Sequence, residues 1–283
     1  MKSSDFMLLE QMTHEMQIRN YSERTIQCYS SLLTKLVNHF DIPLSELDVS
    51  QVKDFLHHRI TTDKVSTSTV NQTISAYKIL QEDVLGLKRE GIKIKRPRGN
   101  KKLPVVLSLE EVESLICATT NLKHRALLAL SYSSGIRREE AQKIKPESID
   151  SARMRVHVSN GKGRKDRYTI LSKSALNLLR TYYKSTRPSV YLFESSFEKG
   201  RHLSASTLDK IVKNSAEKAG IKKKISFHTL RHSFATHLLE QGVNIKMIQQ
   251  LLGHSSIKTT MVYLHIANIE TSSVVSPFDS LDI

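Results

Sequence analysis

The chain has 283 residues, 39% of them hydrophobic, which is enough for two packed domains and too apolar for wholesale disorder. Lysine and arginine outnumber acidic residues by 43 to 28, a net charge of +15 that points to a polyanionic partner. No apolar run reaches the roughly 20 residues of a bilayer span, the first ten residues lack a secretion-signal layout, and Cys28 and Cys117 fit no metal-ligand spacing, so a cytoplasmic protein without a membrane partner is expected.

Residues 1–90 read as a helical bundle. From Tyr21 onward, Ile26, Tyr29, Leu32, Leu33, Leu36, Val37 and Phe40 fall in the three- and four-residue steps of one buried helix face. Ser22 is the expected N-cap, and Asp41 and Pro43 end the run. Helices are also predicted over 49–60 and 68–85. Residues 88–102 then hold eight basic side chains and one acidic one, with Gly91, Pro97 and Gly99 among them. The stretch 91–104 is read as a linker whose cations Lys93, Lys95, Arg96, Arg98, Lys101 and Lys102 form either a strap along a phosphate backbone or a solvated connector.

Residues 105–283 form the second predicted domain. Ser108 and Glu111 make a capping box. Residues 124–132 are apolar nearly all round, as in a central buried helix. Met154, Val156 and Val158 alternate with Arg153, Arg155 and His157, Asn160-Gly161 supplies a turn, and Tyr168 and Ile170 resume the alternation. This predicts a β-hairpin whose far end carries Lys162, Arg164, Lys165 and Arg167. Helices return over 206–219, 228–241 and 245–252, closed by Gly220, Gly242 and Gly253. The expected fold class is mainly α: an N-terminal helical bundle plus a mostly helical domain with a small antiparallel β-sheet.

Several polar residues fit poorly as plain surface. Arg137 falls in the first turn of a restarted helix that turns Ile136, Ala141 and Ile144 inward. There it opposes the helix dipole unless an anion binds, and Glu140 can hold it by an i,i+3 pair. His228 and Arg231 share one face at the start of a helix, as a phosphate clamp requires. His228 and His232 have metal-ligand spacing, but no carboxylate lies between them and Arg231 repels a cation. His254 emerges past a helix end. Tyr263 lies on a short helix over 256–266, off the face formed by Ile257, Thr260, Met261 and Leu264. Taken alone, such a tyrosine is packing and a hairpin lysine is a solvated charge.

In sequence order, Gly135-Ile136-Arg137-Arg138-Glu139-Glu140, Gly161-Lys162-Gly163, His228-Thr229-Leu230-Arg231-His232, Leu252-Gly253-His254 and Tyr263 resemble the signature of the tyrosine recombinase (phage integrase) family. The spacings resemble it too: 25 residues from Arg137 to Lys162, 26 from His228 to His254 and 9 from His254 to Tyr263. The stretch 228–265 is similar to Xer-type resolvases and integron integrases, although the segment between Phe193 and Ser226 lacks the extra helix of the latter. The resemblance implies a DNA-cutting and DNA-rejoining enzyme in which residues 1–90 bind the core of a recombination site. It implies that Tyr263 attacks a scissile phosphate and that Arg137 and Arg231 hold its non-bridging oxygens. His228 shares that work and assists the tyrosine's proton transfer, and Lys162 protonates the leaving oxygen. His254 supports the pentacoordinate state, and Glu140 orients the arginine. It further implies a double-stranded DNA site, a homotetramer on two duplexes, a possible partner recombinase or accessory protein, and no metal or cofactor.

Three other readings compete. A non-catalytic DNA-binding regulator explains the charge but not the ordered set of polar residues. A metal-dependent nuclease needs clustered carboxylates, which the second half is poor in. A type IB topoisomerase shares the chemistry and differs in lacking site preference.

Overall fold

The computed structural model describes residues 3–87, 93–97, 103–159 and 166–268. The chain divides into two compact units, residues 1–101 and 102–283. Among the described residues no helix is long and apolar enough to cross a membrane.

The first unit is all-helical: α1 (Ser3–Ile18), α2 (Glu23–Phe40), α3 (Val49–Thr61) and α4 (Thr67–Ile79), which continues as a π-helical turn over Leu80–Val84. Polar caps set the starts of α2, α3 and α4. Ser22 and Ser66 accept amide protons from Thr25 and Thr69, and Asp48 and Gln51 close a capping box. Met12, Met16, Leu33, Leu36, Val52, Phe55, Ile74 and Tyr77 lie in one core. The helix α1 is absent from the sequence reading; it also buries Asp5, whose carboxylate accepts the Leu44 amide proton at 2.8 Å. Ile94, inside the basic stretch, joins this core, so residues 93–97 lie on the first unit rather than running free of it.

The second unit comprises α5 (Leu109–Cys117), α6 (Leu122–Ser134), α7 (Arg138–Lys143), β1 (Ile149–Asp150), β2 (Arg155–Val158), β3 (Arg167–Ile170), α8 (Lys173–Thr186), α9 (Ala205–Lys218), α10 (Phe227–Glu240), α11 (Ile245–Leu252) and α12 (Ile257–Thr260), extended by a 3₁₀ turn over Met261–His265. The Ser108–Glu111 capping box forms, and α6 is the buried axis of the unit, packed on α8 and α10.

Three expectations change. The hairpin is two strands of a three-stranded antiparallel sheet, β1-β2-β3. Tyr168 and Ile170 face outward: Val156 pairs with Thr169 and Val158 with Arg167, so register places Thr169 and Arg167 on the face of the buried valines. Thr169 fits there because its hydroxyl donates to the Ser134 carbonyl at 2.8 Å. Along residues 257–265, Met261 and Leu264 are exposed while Thr260 and Tyr263 are buried. The chain tightens there from α to 3₁₀ geometry, and the tighter turn rotates the inward face onto Tyr263.

Candidate active site

Two helix ends build the site. The helices α6 and α11 stop at Gly135 and Gly253, both left-handed, with φ of 59° and 62°. The last carbonyls of a helix lack intrahelical donors and lie at the negative end of its dipole. Arginines occupy them here. Arg231, one turn into α10 and only 3% exposed, donates to the Gly135 and Leu252 carbonyls, both at 2.6 Å. Arg137 donates to the Gly253 carbonyl at 2.8 Å and to Glu140 Oε1 at 2.8 Å. Arg167 donates through Nε to the Leu251 carbonyl at 2.9 Å. Three consecutive carbonyls, Leu251 to Gly253, thus hold three different guanidiniums.

Arg137 is the N-cap residue of α7 rather than a member of its first turn, with an extended backbone (ψ 159°). Its amide and its guanidinium both donate to Glu140, which therefore fixes the arginine at both ends. Burial works to raise the Glu140 carboxyl, but the Arg167 bridge and then Arg137 outweigh it and hold the group at about 2. Burial, followed by Arg137, draws Arg231 down to about 9, which leaves it cationic at neutral pH.

His254 and His232 are neutral at pH 7. His254 Nδ1 lies 2.9 Å from the Thr260 hydroxyl, and burial together with Arg231 and Arg137 holds the ring at about 3. His232 Nδ1 shares a hydrogen bond of 3.1 Å with the hydroxyl of Tyr263. Burial, then His228 and Arg231, hold His232 at about 4. Tyr263 is 2% exposed; burial raises its phenol, while Arg231 and Arg137 pull the other way. In the tautomer that carries its proton on Nε2, the neutral His232 ring presents Nδ1 as an acceptor for the phenol's proton.

Of the residues read from the sequence, Arg137, Glu140, Arg231, His254 and Tyr263 meet around the end of α11, with His228 on the exposed start of α10. The partner of the phenol is His232, not His228. Its signal was present in the sequence, since it lies four residues after His228 on the same helix. Arg167 departs from its expected place at a DNA-facing hairpin end: its side chain is 9% exposed and grips both Glu140 oxygens at 2.7 Å, because its strand register points it inward. Lys93, Lys95 and Arg96 are exposed, and the Arg96 guanidinium rests on Asn71 and Ser75 of α4. Lys162, Arg164, Lys165, Arg98, Lys101 and Lys102 lie outside the described residues. Beside Arg137 opens a cleft of about 540 Å³ whose lining includes His157 and the cations Lys143 and Lys145, which no sequence motif marks.

Residues 105–269 match the model of the Phage integrase family, and residues 8–90 match that of the phage integrase N-terminal SAM-like domain. A putative integrase/recombinase of Sinorhizobium fredii is 33% identical over 277 residues, covering 97% of this chain and 89% of its own length. A tyrosine recombinase of Thermosipho africanus is 33% identical over 269 residues, covering 91% and 94%. In fold the chain resembles the XerH site-specific recombinase bound to palindromic difH substrate in a post-cleavage complex. That match has a TM-score of 0.72 at 24% identity and covers 88% of this chain and 78% of the other.

Proposed function

The chain belongs to the phage integrase family of tyrosine recombinases and cleaves and rejoins DNA at specific sites; from that premise we propose that Tyr263 is the nucleophile and that a 3′-phosphotyrosyl link carries the reaction. The observation that carries this reading is the Tyr263 hydroxyl bonded to His232 beside Arg231 and Arg137. An unassisted phenol, with a pKa near ~10, is a weak nucleophile at neutral pH. His232 Nδ1 accepts its proton as the phenolic oxygen attacks phosphorus. The anionic phosphate offsets the field of Arg231, so the imidazole becomes a better base as substrate arrives.

Arg137 and Arg231 hold the non-bridging oxygens, with His228 sharing the load and His254 supporting the pentacoordinate state. Donors preorganised in this way are each worth on the order of 10²–10³ in rate. The bond from phosphorus to the 5′ oxygen breaks, and Lys162 protonates that oxygen. One phosphodiester is exchanged for another, so the link can be reversed by a new 5′ hydroxyl without ATP. Glu140 keeps Arg137 in position.

Residues 1–90 grip the core of the DNA site, residues 91–104 follow its phosphates, and residues 105–283 carry the chemistry. Two duplexes have four strands to cut and each chain offers one nucleophile, which supports a homotetramer on two duplexes, in the cytoplasm. The tail over 269–283, with Val274, Val275 and Phe278, lies outside the described residues.

The test is to incubate the protein with DNA from its native flanking region and to resolve covalent protein–DNA adducts in denaturing gels. Wild type should form an adduct with or without divalent metal, and Tyr263→Phe should form none. An adduct that survives the substitution overturns the assignment.

A further inference from the structure

Arg167 takes no part in the chemistry above, yet it is one of the most constrained side chains of the site. Its planar fork meets both oxygens of Glu140 at 2.7 Å, and its third donor, Nε, meets the Leu251 carbonyl at 2.9 Å. Its stem lies flat against Gly253: a Cβ built at that glycine would stand 2.6 Å from Arg167 Cδ and 3.0 Å from its Nε. Glu140 in turn holds Arg137 through both the amide and the guanidinium. Leu251 begins the last turn before Gly253, from which His254 emerges. A single side chain on β3 therefore braces the two supports of the site, the start of α7 and the end of α11, which are also joined directly by the bond from Arg137 to the Gly253 carbonyl.

We propose that Arg167 is a positioning residue for DNA cleavage, which sets the placement of Arg137 relative to His254 by bracing Glu140 against the last turn of α11. The inference rests on the reading of Tyr263 and Arg137 given above. Its physical basis is geometric. A guanidinium fork fixes two oxygens in one plane while directing a third donor elsewhere, and an ammonium group cannot do both. Displacement of a catalytic group by about 1 Å costs on the order of 10²-fold in rate. The bracing also has an electrostatic side, since the Arg167 contacts are the largest of the influences that hold the Glu140 carboxyl low against burial.

The experiment compares wild type, Arg167→Met and Arg167→Lys on DNA that releases a short fragment after cutting, so that cleavage cannot reverse. Single-turnover cleavage rate, DNA affinity and the pH dependence of the rate are measured in parallel. Arg167→Met is expected to lose about 10²-fold in rate with affinity within about threefold. It should also move the acid limb of the rate profile to higher pH than the limb that His232 protonation gives wild type, as Glu140 is left to burial with Arg137 alone. Arg167→Lys keeps a cation beside Glu140 and should show the wild-type profile with a rate about tenfold down, because one of the three bonds is given up. Wild-type rate in either variant overturns the proposal. So does a loss in Arg167→Met that falls equally on affinity and rate with an unchanged pH profile, which marks a purely structural role. If Arg167→Met does not fold, the rate of Arg167→Lys decides. Tyr263→Phe run alongside separates the two levels: if it still forms adduct, the reading of the site fails, and if it alone is inactive, only the bracing fails.

Discussion

His232 and His254 each carry a ring into a region already crowded with guanidiniums, and both stay neutral there. Burial and the neighbouring cations hold them at about 4 and about 3, against an ordinary value of 6.5. The sign of the stability effect follows. Below 6.5 the unfolded chain binds protons that the folded chain refuses, so stability is fully present above 6.5 and drains away as pH falls toward 4 and then 3. Glu140 acts in the same direction at lower pH. Its folded value is about 2 against 4.5, so its contribution is present above 4.5 and lost on the way to 2. The denaturant midpoint of the protein should therefore be flat above neutrality and fall between pH 6.5 and 4. His254→Asn should make that fall shallower; an unchanged slope would show that His254 already titrates normally in the fold. Most of the site was legible at this scale, because Arg137, His228, Arg231, His254 and Tyr263 each fall in a short motif with a fixed spacing. The identity of the phenol's partner was not. Which histidine meets Tyr263 depends on whether residues 261–265 wind as α-helix or as 3₁₀, a difference of about 20° of rotation per residue that apolar spacing does not report.

At the scale of elements, glycine decides where the helices stop and therefore where their carbonyls point. Gly135 is left-handed at φ 59°, and a Cβ there would lie 2.3 Å from Cδ1 of the buried Phe234. Gly135→Ala should destabilise the second unit by about 2–4 kcal/mol, combining the left-handed penalty with overpacking. A urea titration measures it, and a change below about 0.5 kcal/mol would mean that the end of α6 relaxes freely. The helices α2 and α5 were readable from polar caps and apolar steps, and α9, α10 and α11 from the glycines that close them. The helix α8 carries an equally readable stripe, Ala175, Leu176, Leu179 and Tyr182 behind the cap Ser172, although it is not among the predicted elements. The helix α1 is harder for a physical reason: besides Met12 and Met16 it buries a carboxylate, Asp5, which sequence patterning scores as surface. The two-residue strand β1 is too short to show any alternation. The outward turn of Tyr168 and Ile170 was hidden because the inward places went to Thr169 and Arg167, polar residues whose partners lie on other elements.

At the scale of the molecule, the excess of 15 positive charges and the break between two units were both visible in composition. The position of the break was less so, since Ile94 draws part of the basic stretch into the first core. Lys93 and Lys95 remain exposed on either side of it. If both meet phosphates, Lys93→Ala combined with Lys95→Ala should reduce the slope of log affinity against log salt by about 2. Filter binding across a salt series gives that slope directly, and a wild-type slope would leave the two lysines as solvated charge. The bonds of Arg231 have a wider consequence. A carboxylate partner would have anchored this buried guanidinium and neutralised it together; the carbonyls of Gly135 and Leu252 anchor it and leave its charge whole. Glu140 is the fixed negative charge that acts on it, and under the role proposed for Arg231 a DNA phosphate supplies a second. Binding of an anionic strand and completion of the folded state are then two faces of one equilibrium, and the abundance of intact enzyme in a cell becomes tied to how much of its DNA is within reach.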